Sequence, residues 1–174
     1  MSKQFYVMSD PHFGHVNILT FNREDGTPLR DFETIEEMDQ TIVDNWNKVV
    51  RDVDQVYMLG DIAMHHRCLP ILDRLKGTKV LVRGNHDTGK LSQYSKYYKD
   101  IRGCAIRHKC IMTHIPIHPQ CMSRWKLNIH GHLHSNNITT KEGWTEHDTR
   151  YVCVCVEQID YTPVNLEQLV DERT

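Results

Sequence analysis

No apolar run in this 174-residue chain approaches the roughly 20 residues needed to span a bilayer as a helix, so a helical membrane protein is not expected. The leading Phe5-Tyr6-Val7-Met8 is too short for the core of a secretion signal, and no small-residue cleavage site follows it. The expected location is therefore the cytoplasm. Zinc-type cysteine pairs are missing: Cys68, Cys104, Cys110 and Cys121 lack that spacing. Cys153 and Cys155 alternate with Val152, Val154 and Val156, which reads as a strand buried on both faces. Core thiols are expected there, not disulfides. A large charge of one sign is also absent. The net charge of −2 argues against a nuclease that tracks long duplexes through many phosphates. Repeats, linkers and low-complexity segments are lacking, so residues 1–174 read as one domain with a sizeable core.

What charge there is lies unevenly. Residues 31–54 are acidic, whereas residues 78–126 contain only Asp87 and Asp100 as carboxylates against ten lysines and arginines. Such a stretch either steers an anionic substrate or forms an ordinary solvated face.

The spacing of apolar residues predicts an alternation of strands and helices. Phe5–Ser9, Val56–Leu59 and Val80–Val82 read as buried strands. Between the first two lies a helix over Thr34–Val50. Thr34 and Glu37 form a capping-box pair there, and Ile35, Met38, Ile42, Trp46 and Val49 mark the inner face. A second helix is expected near Cys68–Lys76, stopped by Gly77, and a short one near 90–98 carrying Leu91, Tyr94 and Tyr98. Tyr94 and Tyr98 then belong to the core, leaving Tyr97 as the better stacking candidate. The later chain reads as strands at Ala105–Ile106, Cys110–Met112, Leu127–Ile129 and Tyr151–Val156. A short helix over Leu166–Val170 closes it, with Asn165 as cap. The strand–helix–strand rhythm indicates an α/β sheet with parallel pairing.

Polar motifs follow these apolar runs: Asp10-Pro11-His12, Gly60-Asp61, Gly84-Asn85-His86-Asp87, Thr113-His114 and His130-Gly131-His132-Leu133-His134. In a parallel sheet, groups after strand ends converge at one edge. The donors are carboxylates, imidazoles and an amide. Without thiolates they suit manganese, iron, nickel, zinc or cobalt as working ions better than a structural zinc. A carboxylate such as Asp61 can bridge two cations.

The ordered set resembles the calcineurin-like metallophosphoesterase superfamily, with Asp-x-His, Gly-Asp, Gly-Asn-His-Asp, a single His and Gly-His-x-His present in sequence from residue 10 to 134. The opening Ser9-Asp10-Pro11-His12-Phe13-Gly14-His15, with Asn17-Ile18, is similar to small bacterial and phage members. The resemblance implies a four-layer α-β-β-α sandwich, two mixed β-sheets flanked by helices. It also implies two divalent metal ions, manganese foremost, with a shared hydroxide as nucleophile. One ion would be held by Asp10, His12, Asp61 and His134, the other by Asp61, Asn85, His114 and His132. His86 would protonate the leaving oxygen, with Asp87 orienting its ring.

The expected substrate is a small anionic phosphoester, nucleotide-like, and the expected activity a phosphodiesterase. Short nucleic-acid ends are a further possibility. The alternatives are a phosphomonoesterase, acting on nucleotides or phosphoproteins, and a metal-binding interaction scaffold without turnover. Arg83-Gly84-Asn85-His86 is similar to the matching segment of protein serine/threonine phosphatases. Their phosphate-gripping arginine after Gly-Asp is absent, however, with His65 at its position. Arg83, His65, His66, His118 and Arg124 are the candidate substrate contacts. His130 and His15 read either as supports for a ligand or as plain structural residues.

Overall fold

The alternating first half folds as a parallel sheet, seen in a computed structural model that describes residues 2–140 and 146–173. Strands β1 (Phe5–Met8), β2 (Gln55–Met58), β3 (Thr78–Val82) and β4 (Asp100–Arg102) pair in parallel in that order. On the far side of β1, β9 (Val164–Asn165) runs antiparallel, so the sheet is mixed. A second mixed sheet comes from the later chain. Here β5 (Ala105–Arg107) is antiparallel to β6 (Cys110–Thr113), while β6, β7 (Asn128–His130) and β8 (Tyr151–Cys153) are parallel.

The two sheets face each other. Val7, Tyr57, Leu59, Val80 and Val82 of the first pack against Ala105, Cys110, Met112, Ile129, Val152 and Val154 of the second. Alternation along each strand sends the intervening residues outward. Met8, Val56, Met58 and Leu81 therefore meet the helical layer carrying α1 (Ile35–Val49). The outer side of the second sheet is covered by residues 115–126, which include a 3₁₀ turn, Pro119–Arg124. The Ile117 N–H donates to Asn128 Oδ1 (2.9 Å) and Tyr151 O–H to the Ile117 carbonyl (2.9 Å). The architecture is thus the α/β sandwich of two mixed sheets that the resemblance implied. No helix of the described residues is long and apolar enough to cross a membrane.

Helix α1 follows its local signals. Thr34 Oγ1 accepts from the Glu37 N–H (3.2 Å), while the Glu37 carboxylate turns back to the N–H of Glu33 rather than that of Thr34. Ile35, Met38, Ile42 and Trp46 are buried as expected, Val43 joins them, and Val49 is only partly covered. Asn165 caps α3 (Leu166–Arg173), accepting from the amides of Glu167 and Gln168.

Three expectations need correcting. The helix read near Cys68–Lys76 is a 3₁₀ helix, His66–Arg74, with Pro70 inside it; a proline lacks the N–H that an α-helix interior requires. The helix read near 90–98 is the single turn α2, Leu91–Tyr94, although Tyr94 and Tyr98 do enter the core. The strand read as Tyr151–Val156 leaves β7 after Cys153. Its next residues stay extended and cross to the first sheet, where Cys155 bridges to Ser9.

Trp46 joins α1 to the turn before β3, its indole N–H donating to the Lys76 carbonyl at 2.9 Å in a fully buried position. Trp46→Ala should cost about 3–5 kcal/mol through the cavity and the stranded carbonyl, read as a lower urea midpoint at unchanged m-value.

Candidate metal centre

The crossing at Cys155 brings the two sheets' loops together. Ser9 N–H donates to the Val154 carbonyl (2.8 Å) and Val156 N–H to the Ser9 carbonyl (3.1 Å). The next residue in the first sheet's chain is Asp10, fully buried. Its Oδ2 accepts from Ser9 Oγ, from the His132 N–H (2.9 Å) and from Cys155 Sγ (3.2 Å). Gly131 permits this approach, because a Cβ there would stand 2.0 Å from Ser9 Oγ and 2.3 Å from Asp10 Oδ2.

Around this joint the predicted ligands fall into two groups. Asp10, His12 and His134 form one, and Asp61, His114 and His132 the other; within each, one donor atom per residue lies within 4.8 Å of the others. His12 Nε2 is 3.9 Å from Asp61 Oδ2, and His114 Nε2 is 3.4 Å from the same oxygen, so Asp61 lies between the groups. Asn85 Oδ1 is 2.8 Å from His114 Nε2. All seven predicted ligands are thereby brought together.

The donor set fits a metal. Asp10 Oδ1 and both ring nitrogens of His12 are buried and have no hydrogen-bond partner among the described residues. Buried polar atoms are ordinarily satisfied, and a bound cation would satisfy these. The backbone carries strain here too. Asp10, His12, Asp61, His132 and His134 have φ between 50° and 70°, the left-handed region that residues with a Cβ seldom adopt.

Electrostatics follow from this packing. Burial pushes the Asp10 carboxyl up, but the imidazoles of His12 and His114 and the Ser9 hydroxyl outweigh it and hold the group below the usual carboxylate range. Asp61 is likewise lowered, with burial opposed by His114 and by the His86 amide. Burial would depress His114, yet Asp61 and Asp10 raise it. His132, facing burial and then the His114 charge, is lowered.

No family model matches the chain. A protein of Methanocaldococcus jannaschii, the uncharacterized protein MJ1445, is 32% identical over 172 residues, covering 97% of this chain and 90% of its own. The chain belongs to the family of that archaeal protein. AQ665 of Aquifex aeolicus, a solved protein of unknown function, superposes with a TM-score of 0.74 at 28% identity, covering 99% of this chain and all of its own. The nuclease MPE of Pseudomonas putida superposes with a TM-score of 0.50 at 17% identity, over 81% of this chain and 66% of its own. The fold is of the calcineurin-like metallophosphoesterase type.

Within that fold the catalytic-looking pair separates. The Asp87 carboxylate turns to the backbone. It accepts from the amides of Gly84 (2.8 Å), Asp61 (2.9 Å) and Ile62 (3.1 Å), and among the described residues it makes no hydrogen bond to the imidazole. Three amides converge on this buried carboxylate because two strand ends turn around it. The His86 ring stands at the open edge, 47% exposed, with Nε2 4.0 Å from Asp61 Oδ2.

Two of the candidate substrate contacts are engaged locally. Arg83 Nη2 donates to the carbonyls of Asp87 and Gly89 and so staples the loop. His118 caps a turn, accepting from the Gln120 N–H. His65, His66 and Arg124 are exposed, and His66 lies with Ser92, Gln93 and Lys96. The basic stretch is not one face either. Lys79 is buried on the carbonyls of Leu75 and Gly77, Arg102 pairs with Asp100, and Arg107 stacks 3.4 Å from the Phe5 ring centre. Tyr97 is partly buried, with Lys96 over its ring. His130 is buried outside both groups, and the His15 ring lies 5.8 Å from that of His12.

Two residues of this neighbourhood escaped the sequence reading. Arg30 and Glu157 are fully buried and paired at 2.7 Å beside His134. A third, Asp39, accepts from the Gly14 N–H (3.1 Å) and braces the loop after His12. Burial raises its carboxyl from 3.8 to about 6 against that hydrogen bond. The folded state therefore holds this proton more tightly than the unfolded chain, and Asp39 stabilises least once ionised. In thermal melts, the wild-type Tm minus that of Asp39→Asn should fall from pH 3.8 towards 6 and level off above. A difference independent of pH would refute the assignment.

Proposed function

We propose that this protein is a phosphodiesterase that uses two divalent cations to hydrolyse small nucleotide-type phosphoesters. The observation that carries this reading is the pair of ligand groups meeting at Asp61, with buried donors otherwise unsatisfied. Asp10, His12, Asp61 and His134 would hold one cation; Asp61, Asn85, His114 and His132 would hold the other. The oxygen and imidazole donors favour manganese, with iron, zinc, nickel or cobalt as alternatives. A bound pair of such ions supplies Lewis acidity toward a phosphoryl oxygen and toward water.

The chain's own groups do the rest. Asp61 Oδ1 accepts from the His86 N–H at 2.8 Å, so the loop that carries Asp61 is tied to the loop that carries His86. At the open edge, His86 can hand a proton to the leaving oxygen. Asp87 serves by holding the strand ends that present Asp61 and His86. The choice of a diester rests on charge. Arg83 is engaged by carbonyls and Arg30 by Glu157, so neither is free to clamp the extra charge of a monoester. The Pseudomonas putida neighbour is a nuclease, which keeps short nucleic-acid ends as a second reading.

With manganese restored after chelation, bis-p-nitrophenyl phosphate should be turned over faster than p-nitrophenyl phosphate. The reverse order would point to a monoesterase, and no metal-dependent hydrolysis of either to a scaffold. His86→Ala should lower kcat by about 10²–10⁴-fold while both metals remain, and Asp61→Ala should lose metal by elemental analysis. Loss of a metal from His86→Ala would make His86 a ligand instead.

A further inference from the structure

Glu157 and Arg30 belong to no motif, yet their side chains tie His134 to the backbone that bears Asp10. His134 Nδ1 donates to Glu157 Oε1 at 2.9 Å, which leaves Nε2 as the nitrogen with a free lone pair. The same oxygen accepts from Arg30 Nε at 2.7 Å. Arg30 then continues to the backbone of the first motif, donating to the carbonyls of Asp10 and Pro11 (2.6 and 2.8 Å). Both side chains are wholly buried, whereas His134 is partly exposed. Glu157 also lies in a metal-like cluster with His134 and Cys155, but Arg30 already supplies the cation there.

In the other ligand group the support seen is of a different kind. His114 Nδ1 donates to a backbone carbonyl, that of Leu59, at 2.7 Å. The two sides therefore differ in how their imidazoles are aimed.

We propose that Glu157, anchored by Arg30, is a positioning residue for the cation held by Asp10, His12 and His134. It fixes the His134 tautomer and ring plane, and Arg30 ties that ring to the backbone bearing Asp10. This rests on the two-cation reading above. The charged pair is self-contained: guanidinium and carboxylate neutralise each other, so their joint burial leaves no unpaired charge. Removing the support of a ligating histidine typically lowers metal affinity by about 10–100-fold.

Manganese binding by calorimetry, with metal content per chain, tests this without any turnover. In the wild type, His134→Ala and His132→Ala should each abolish a different binding step. Glu157→Gln should weaken the step lost in His134→Ala by about 10-fold or more, and leave the other unchanged. In a His134→Ala background, Glu157→Gln should have no further effect on manganese binding, a non-additivity that a merely structural role would not produce. Arg30→Met/Glu157→Met removes both charges together and should weaken the same step. Should that double variant fail to fold, Glu157→Gln decides alone. Wild-type affinity for both ions in folded Glu157→Gln overturns the proposal while leaving the two-cation reading intact. A wild type that binds no manganese overturns that reading itself.

Discussion

One carboxylate is shared by both sheets, and the geometry of the centre depends on it. Asp10 follows β1 of the first sheet, yet two of the groups that hold its Oδ2, the His132 amide and Cys155 Sγ, come from chain that leaves the second. With Oδ2 saturated, Oδ1 is left alone in a dry environment beside His12. A buried oxygen with three hydrogen bonds on its partner atom and none on itself is costly unless a cation completes it. The sandwich thus does more than stack two hydrophobic faces. At one edge its layers are stitched through Ser9, and the ligands of both sheets meet at the stitch.

That closeness has a conformational cost. Five of the predicted ligands stand at positive φ, each worth of order 1–3 kcal/mol where the surroundings must enforce it. Asp and His tolerate this region better than branched residues do, and the loops are tied parallel to one another: His12 N–H donates to the Asp61 carbonyl and Asp10 N–H to that of Gly60. Asp87 reinforces the arrangement by gathering three amides from two loops. The strain sits where donors must point inward from the ends of strands whose own side chains alternate between two cores.

The buried ion pair of Arg30 and Glu157 sits beside His134, on one side of this centre. Outside a folded interior, the same pair would contribute little, since solvent screens exposed charges. Inside, it links the loop after β1, the segment before α1 and the turn after Cys155, three stretches far apart in the chain.

What could be read from the residues alone was whatever rests on local chemistry. Thr34 caps α1 through a bond to the amide three residues on, Asn165 caps α3 in the same way, and apolar runs ending in Asp, His or Asn announced the strands and the donors after them. The ordered motifs named the seven residues that the fold brings together. Two short elements were not legible: β4, Asp100-Ile101-Arg102, has one apolar residue between two charged ones, and β9 has only two residues, so neither forms an apolar run. Nor was the break after Cys153, because the valine–cysteine run is apolar whichever sheet it joins. Tertiary structure alone decided that Asp87 gathers three amides, that Lys79 and Arg83 are spent on carbonyls, and that Glu157 lies behind His134. Those outcomes depend on which distant backbone groups arrive unpaired in a dry interior, and a linear pattern carries no record of that.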